Sequence, residues 1–109
     1  MLDLDVLRRE LNNYYAGLNN YSRILEMVGI SRLSRKLLYE YKNIIIDVID
    51  EVYLKNFKLL GKPLNNLVIV LNDSSLEESV KLNLVGEYIN LMDIILRNSK
   101  RFTNYNKSI

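Results

Sequence analysis

The sequence predicts an all-α protein: an antiparallel helical bundle of three long helices plus one short segment, helical or a single strand. Three observations lead there. Leu4, Leu7, Leu11, Tyr14, Leu18, Tyr21, Leu25 and Val28 alternate at spacings of three and four, the heptad pattern of one helix face. Four glycines and one proline in 109 residues leave too few breaks for the many turns of an all-β chain. Two further long stretches carry helical periodicity, with a short apolar stretch between them.

The first helix is expected over residues 4–28. Asp3 or Asp5 can cap its start, where a carboxylate also suits the helix dipole. Gly17 sits inside the seam at a cost of ~1 kcal/mol relative to alanine. Gly29 is the expected left-handed stop, with Ile30 as the apolar residue that follows it.

A second helix should follow at once, capped by Ser31 or Ser34, and run to about Leu60, where Gly61 and Pro63 end it. Its apolar residues form two adjoining stripes. One is Leu37, Tyr41, Ile44, Val48 and Val52; the other is Ile45, Ile49, Tyr53 and Phe57. So wide a face needs more than one neighbour, which makes this helix central. The short Gly29-Ile30-Ser31 link makes the first two helices antiparallel.

Residues 63–72 read two ways. Leu64, Leu67, Val68 and Leu71 fit a short helix with Pro63 in its first turn. The run Leu67 to Leu71 also reads as a buried strand, but no second strand exists in the chain to pair with it. The short helix is the favoured reading, and a strand would have to pair across a dimer.

The last helix is expected to open on doubled capping boxes, Ser74…Glu77 and Ser75…Glu78, and to reach about Lys100. It carries Leu82, Val85, Ile89, Met92 and Leu96 on one stripe and Leu84, Tyr88, Leu91 and Ile95 on another. Glu77–Lys81 and Asp93–Arg97 are favourable pairs one turn apart. Residues 103–109 are polar and expected to fray. With no repeat and no linker, the expectation is one domain over 1–109.

Composition narrows the function. Hydrophobic residues at 49% and charged residues at 26% are globular values, which argue against disorder. The chain has no cysteine and no histidine. That removes thiol nucleophiles, disulfides, imidazole acid–base chemistry and the usual zinc ligand sets. No cofactor and no catalytic residue is expected, and the protein is read as not an enzyme. The opening carries no signal-peptide pattern, and the longest apolar run is far below the ~20 residues of a membrane span. A cytoplasmic protein without membrane contact is therefore expected. A net charge of +2 gives no bulk attraction to nucleic acid, so only local patches could act.

Two kinds of candidate site remain. The first is apolar. Three long helices and one short segment must cover two wide apolar faces, and surface left over would serve a homo-oligomer or a hetero-protein partner. Leu11, Tyr14, Leu18, Tyr21 and Leu25 on the first helix are the candidate interface. Tyrosine is enriched at interfaces because it joins apolar area to a polar tip. The plainer reading makes these residues ordinary core, with Asn12, Asn13, Asn19 and Asn20 facing water.

The second candidate is basic. Arg32, Arg35 and Lys36 lie at the start of the second helix, where cations oppose the dipole. Residues 24–35 bear some resemblance to a helix-turn-helix, with Gly29 and Ile30 at the turn and Ser31 and Arg32 after it. Leu25 stands where a small residue is expected and Arg35 where an apolar one is. The resemblance implies DNA reading by the following helix. Lys100 and Arg101, with Arg97, Phe102, Tyr105 and Lys107, form a second basic group whose aromatics could stack on bases. The plain alternatives are a solvated hairpin end and cations drawn to a helix C-terminus.

Asp47, Asp50 and Glu51 place carboxylates one turn apart but have no histidine partners, so no metal site is read there. The run Leu7-Arg8-Arg9-Glu10-Leu11 resembles the first helix of small helical chorismate mutases. However, Arg23 is two residues out of the register that such a site requires. The chain also has no glutamine, so that family is not assigned. The reading is a non-enzymatic helical interaction or assembly module, as an oligomer or a small subunit of a larger complex. The alternative is a nucleic-acid-binding protein.

Overall fold

The computed structural model describes residues 2–108, with side chains as far as Ser99. All regular structure among the described residues is helical, and no strand is present. Residues 67–71 are helical, so the strand alternative is overturned. The chain divides into two compact units between Phe57 and Lys58.

The first unit holds α1 (Leu4–Tyr15), α2 (Tyr21–Val28), α3 (Arg35–Glu40), α4 (Lys42–Ile49) and a π-helical turn (Asp50–Leu54). Asp3 caps α1, its carboxylate accepting from the Asp5 and Val6 backbone N–H groups at 3.0 and 3.3 Å. The helix expected over 4–28 is two helices. Gly17 adopts φ +89°, Leu18 N–H donates to the Asn13 carbonyl at 2.8 Å and Gly17 N–H to that of Tyr14 at 3.0 Å. Those are the paired bonds of a glycine helix stop. Asn19 follows at φ +48°, a conformation asparagine tolerates.

Gly29 ends α2 by the same device, as expected. Its φ is +88°, and Ile30 N–H donates to the Leu25 carbonyl at 3.0 Å. Leu25 and Ile30 are both buried, which supplies the apolar contact of this motif. Of the two serines considered as caps, Ser34 acts, its hydroxyl accepting from Leu37 N–H at 3.3 Å.

The expected long second helix is interrupted at Tyr41 and widens after Ile49 into the π-helical turn. It stops before Leu60: Phe57 N–H reaches back to the Glu51 carbonyl at 2.8 Å, and Asn56 takes φ +56°. The buried residues of this unit include Leu7, Leu11, Ile24, Ile30, Ile45, Ile46, Val48 and Ile49.

The second unit is a helical hairpin of α5 (Lys58–Asn72) and α6 (Glu78–Ser108). Gly61 and Pro63, expected to separate helices, lie inside α5. Pro63 falls in the second turn, so the carbonyl deprived of a donor is that of Leu59, whose side chain is exposed. The corner before α6 is organised by Asp73 rather than by serine capping boxes. The Asp73 carboxylate accepts from the Ser75 N–H at 2.9 Å and its hydroxyl at 2.5 Å, and these bonds hold its pKa below the usual carboxylate value. Leu60, Leu64, Leu67 and Leu71 on α5 and Val85, Ile89, Met92 and Leu96 on α6 are buried. The expected Asp93–Arg97 pair forms at 3.0 Å. The tail expected to fray beyond residue 103 belongs to α6 by its backbone as far as Ser108. Its side chains lie outside the described residues.

Candidate functional site

The helix break at residues 16–20 brings three tyrosines together. Tyr14 and Tyr15 close α1 and Tyr21 opens α2. The Tyr14 and Tyr15 rings meet edge-on with centroids 5.5 Å apart, and Tyr14 and Tyr21 lie 6.1 Å apart at a tilt. Lys42, at the start of α4, places its ammonium 5.3 Å from the Tyr14 centroid and 5.6 Å from that of Tyr21, within cation–π range of both. The Tyr21 hydroxyl donates to the Leu38 carbonyl at 2.8 Å, beside the interruption at Tyr41. That of Tyr15 donates to Asp47 at 3.4 Å.

These surroundings shift the phenols. Burial, then the Tyr14 ring's own ionisation, pushes the Tyr21 pKa well above the ordinary value. Burial does the same for Tyr15, followed by the charges of Asp50 and Asp47. Deprotonation of Tyr15 would place a phenolate beside two carboxylates, and deprotonation of Tyr21 would charge a half-buried ring.

Two clefts share Asn19 and Lys42. One, of about 440 Å³, is bordered by Tyr21, Leu38, Tyr39, Arg35 and Glu26. The other, of about 340 Å³, lies against Tyr14, Tyr15 and Asn43. Tyr39 is 82% exposed. Arg35 and Lys42 have no carboxylate partner at ion-pair distance among the described residues.

The expected basic cluster is therefore only partly assembled. Arg35 faces the larger cleft; Arg32 and Lys36 are exposed but do not border it. The helix-turn-helix likeness is not reproduced. Residues 29–34 separate α2 from α3, where the motif needs a turn of about three or four residues. The following helix spans only Arg35–Glu40. The longer turn exists because Ile30 and Leu33 are both drawn into the core. Lys100 and Arg101 fall outside the described side chains, and Arg97 is engaged by Asp93.

The candidate interface on the first helix also comes apart. Leu11 and Leu25 are buried within the chain, Tyr14 and Tyr21 are half-buried beside Lys42, and Leu18 stands on the loop, 64% exposed. The break at Gly17 ends the continuous seam. Of the three carboxylates Asp47, Asp50 and Glu51, two converge on a lysine rather than on a metal position. Lys55 lies 3.8 Å from Asp50 and 3.1 Å from Glu51. Among the described residues no group of three or more acidic, cysteine or histidine side chains is placed to hold a metal ion.

A more continuous apolar surface lies on α6. Val80, Leu84, Glu87, Leu91 and Ile94 follow spacings of four and three, which keeps them on one side of a helix. Val80 is 41%, Leu91 46% and Ile94 56% exposed, and Leu84 is half-buried. The buried residues Val85, Ile89, Met92 and Leu96 occupy the other side. Sequence reading found surplus apolar residues on this helix but not this stripe. The heptad spacing carried the signal, and Glu87 in its middle hid it.

Among the described residues no helix is long and apolar enough to cross a membrane. Compared with known protein families, curated proteins and solved structures, the chain matches none.

Proposed function

We propose that the chain is a non-enzymatic helical interaction and assembly module, which works by burying the outer stripe of α6 against another polypeptide. The observation that carries this reading is the apolar seam of Val80, Leu84, Leu91 and Ile94 opposite a fully buried stripe on the same helix. A helix apolar on two sides needs a neighbour on each. At 1.5 Å per residue α6 is ~46 Å long and α5 ~22 Å, so α5 can flank about half of it. The form proposed is a homo-oligomer in the cytoplasm, with membership of a larger complex as its extension.

Analytical ultracentrifugation of the wild type, Leu91→Glu and Ile94→Glu tests the reading. Both residues are exposed, so a charge there should leave helicity intact. Loss of assembly with retained circular dichroism supports α6 as the interface. Unchanged sedimentation in both variants would oppose it.

A second reading is nucleic-acid binding, favoured by Arg35, Lys42 and exposed Tyr39 around one cleft. Arg32 and Lys36 would lie at its rim, with Lys100 and Arg101 as a further basic end. Cations with stacking aromatics suit single strands. Affinity for an oligonucleotide should then fall steeply with salt and be lost in the Arg32→Ala, Arg35→Ala double variant.

A further inference from the structure

The outer stripe of α6 is self-complementary when reversed, and we infer that its occupant is a second copy of the same helix, paired antiparallel with the register centred at the level of residue 89. The inference rests on the assembly reading and adds direction and register.

The first argument is the seam. Positions 80, 84, 87, 91, 94 and 98 carry Val, Leu, Glu, Leu, Ile and Asn, the alternating spacing of a coiled-coil seam. Antiparallel pairing centred on residue 89 sets Leu84 against Ile94, Glu87 against Leu91, and Val80 against Asn98. Parallel pairing in register would stack Glu87 on its own copy inside an apolar layer, where two carboxylates repel with little water to screen them.

The second argument is charge along the helix. Glu77 and Glu78 stand at its start, whereas Lys100 and Arg101 stand towards its end, Arg97 being paired with Asp93 on the same helix. An antiparallel pair brings each acidic end to a basic one. A parallel pair gathers like charges at both ends. The helix dipoles add in the same sense.

The chain has no cysteine, so engineered disulfides report on this geometry without background. Leu84→Cys and Ile94→Cys, mixed and oxidised, should cross-link to each other, and neither should cross-link to itself. In the proposed register two copies of residue 84 are ~15 Å apart along the axis, beyond disulfide reach. Val80→Cys with Asn98→Cys, both at exposed positions, repeats the test should Leu84→Cys fail to fold.

The wild-type mass is measured first. A monomer overturns self-assembly itself. A dimer whose Leu84→Cys variant links to itself, or whose mixed variants do not link, overturns the antiparallel register alone. Mixed links only, at more than tenfold the yield of either variant alone, support it.

Discussion

Arg23 and Glu10 form an ion pair across α1 and α2, with the guanidinium Nη1 3.2 Å from carboxylate Oε1. The pair is lopsided: the Glu10 side chain is 2% exposed and that of Arg23 67%. The second carboxylate oxygen, Oε2, is buried without a hydrogen-bond partner among the described residues. Among the described residues Arg23 is thus the one cation at ion-pair distance from a buried carboxylate. Removing one partner of such a pair costs more than removing both. Arg23→Met is expected to destabilise the fold by about 2–3 kcal/mol, and the Glu10→Met, Arg23→Met double variant to recover most of that loss. Urea unfolding of the three proteins checks this. Equal stability of the wild type and Arg23→Met would show that the pair contributes nothing.

Two glycines should respond to alanine with opposite signs. Gly17 sits at φ +89° with open space around a would-be Cβ, so its substitution carries only the backbone penalty. Gly17→Ala is expected to cost roughly 1–2 kcal/mol. Gly86 lies within α6, also with open space, and Gly86→Ala should stabilise by about 0.5–1 kcal/mol. Thermal melts of the two variants measure both. A neutral Gly17→Ala would mean that α1 and α2 join into one helix without loss.

The tyrosine cluster predicts a loss of stability in base. The Tyr15 and Tyr21 pKa values are raised in the fold above the ordinary 10.0. The folded state therefore holds these protons more tightly than the unfolded chain. That contribution is fully present below pH 10 and is lost as pH rises through the raised folded values. Phenolate absorbance and far-ultraviolet circular dichroism, titrated together from pH 9 upward, should show the last tyrosines ionising as helicity falls. Tyr15→Phe combined with Tyr21→Phe should make the decline shallower. An identical alkaline decline in that variant would remove these two groups as its cause.

Asp50 predicts a stabilising substitution. Burial raises its pKa, and the Lys55 charge only partly offsets this. The charged carboxylate is therefore disfavoured in the fold; the penalty is absent below the unfolded value of 3.8, builds as pH rises past it and is complete above the raised folded value. Asp50→Asn should raise the melting temperature at pH 7 and give no gain at pH 3, where aspartate is itself neutral. Lys55 keeps Glu51 at 3.1 Å in either case. A lower melting temperature at pH 7 would show that the Lys55 contact outweighs burial.

Helical class and several local signals were legible in the sequence because they depend on neighbours in the chain. Asp3 and Ser34 cap, Gly29 with Ile30 stops α2, and Asp93 pairs with Arg97. The first expected helix failed for a reason equally local. Gly17-Leu18 has the same glycine–apolar form as Gly29-Ile30, but its place in an unbroken heptad pattern outweighed its turn chemistry. Gly61 and Pro63 misled in the opposite direction, since α5 starts at Lys58, ahead of both, and the carbonyl that Pro63 deprives of a donor is that of exposed Leu59. The cleft around Lys42 was not legible, because Tyr14, Tyr21 and Lys42 meet only after the break at Gly17 folds α2 back along α1.

Assembly through α6 is tested most directly by the mass of the wild-type chain in solution, from size-exclusion chromatography with light scattering at low and high salt. A dimer at both salts is expected, because burial of Val80, Leu84, Leu91 and Ile94 is an apolar contribution that salt does not screen. A monomer at both salts would contradict it.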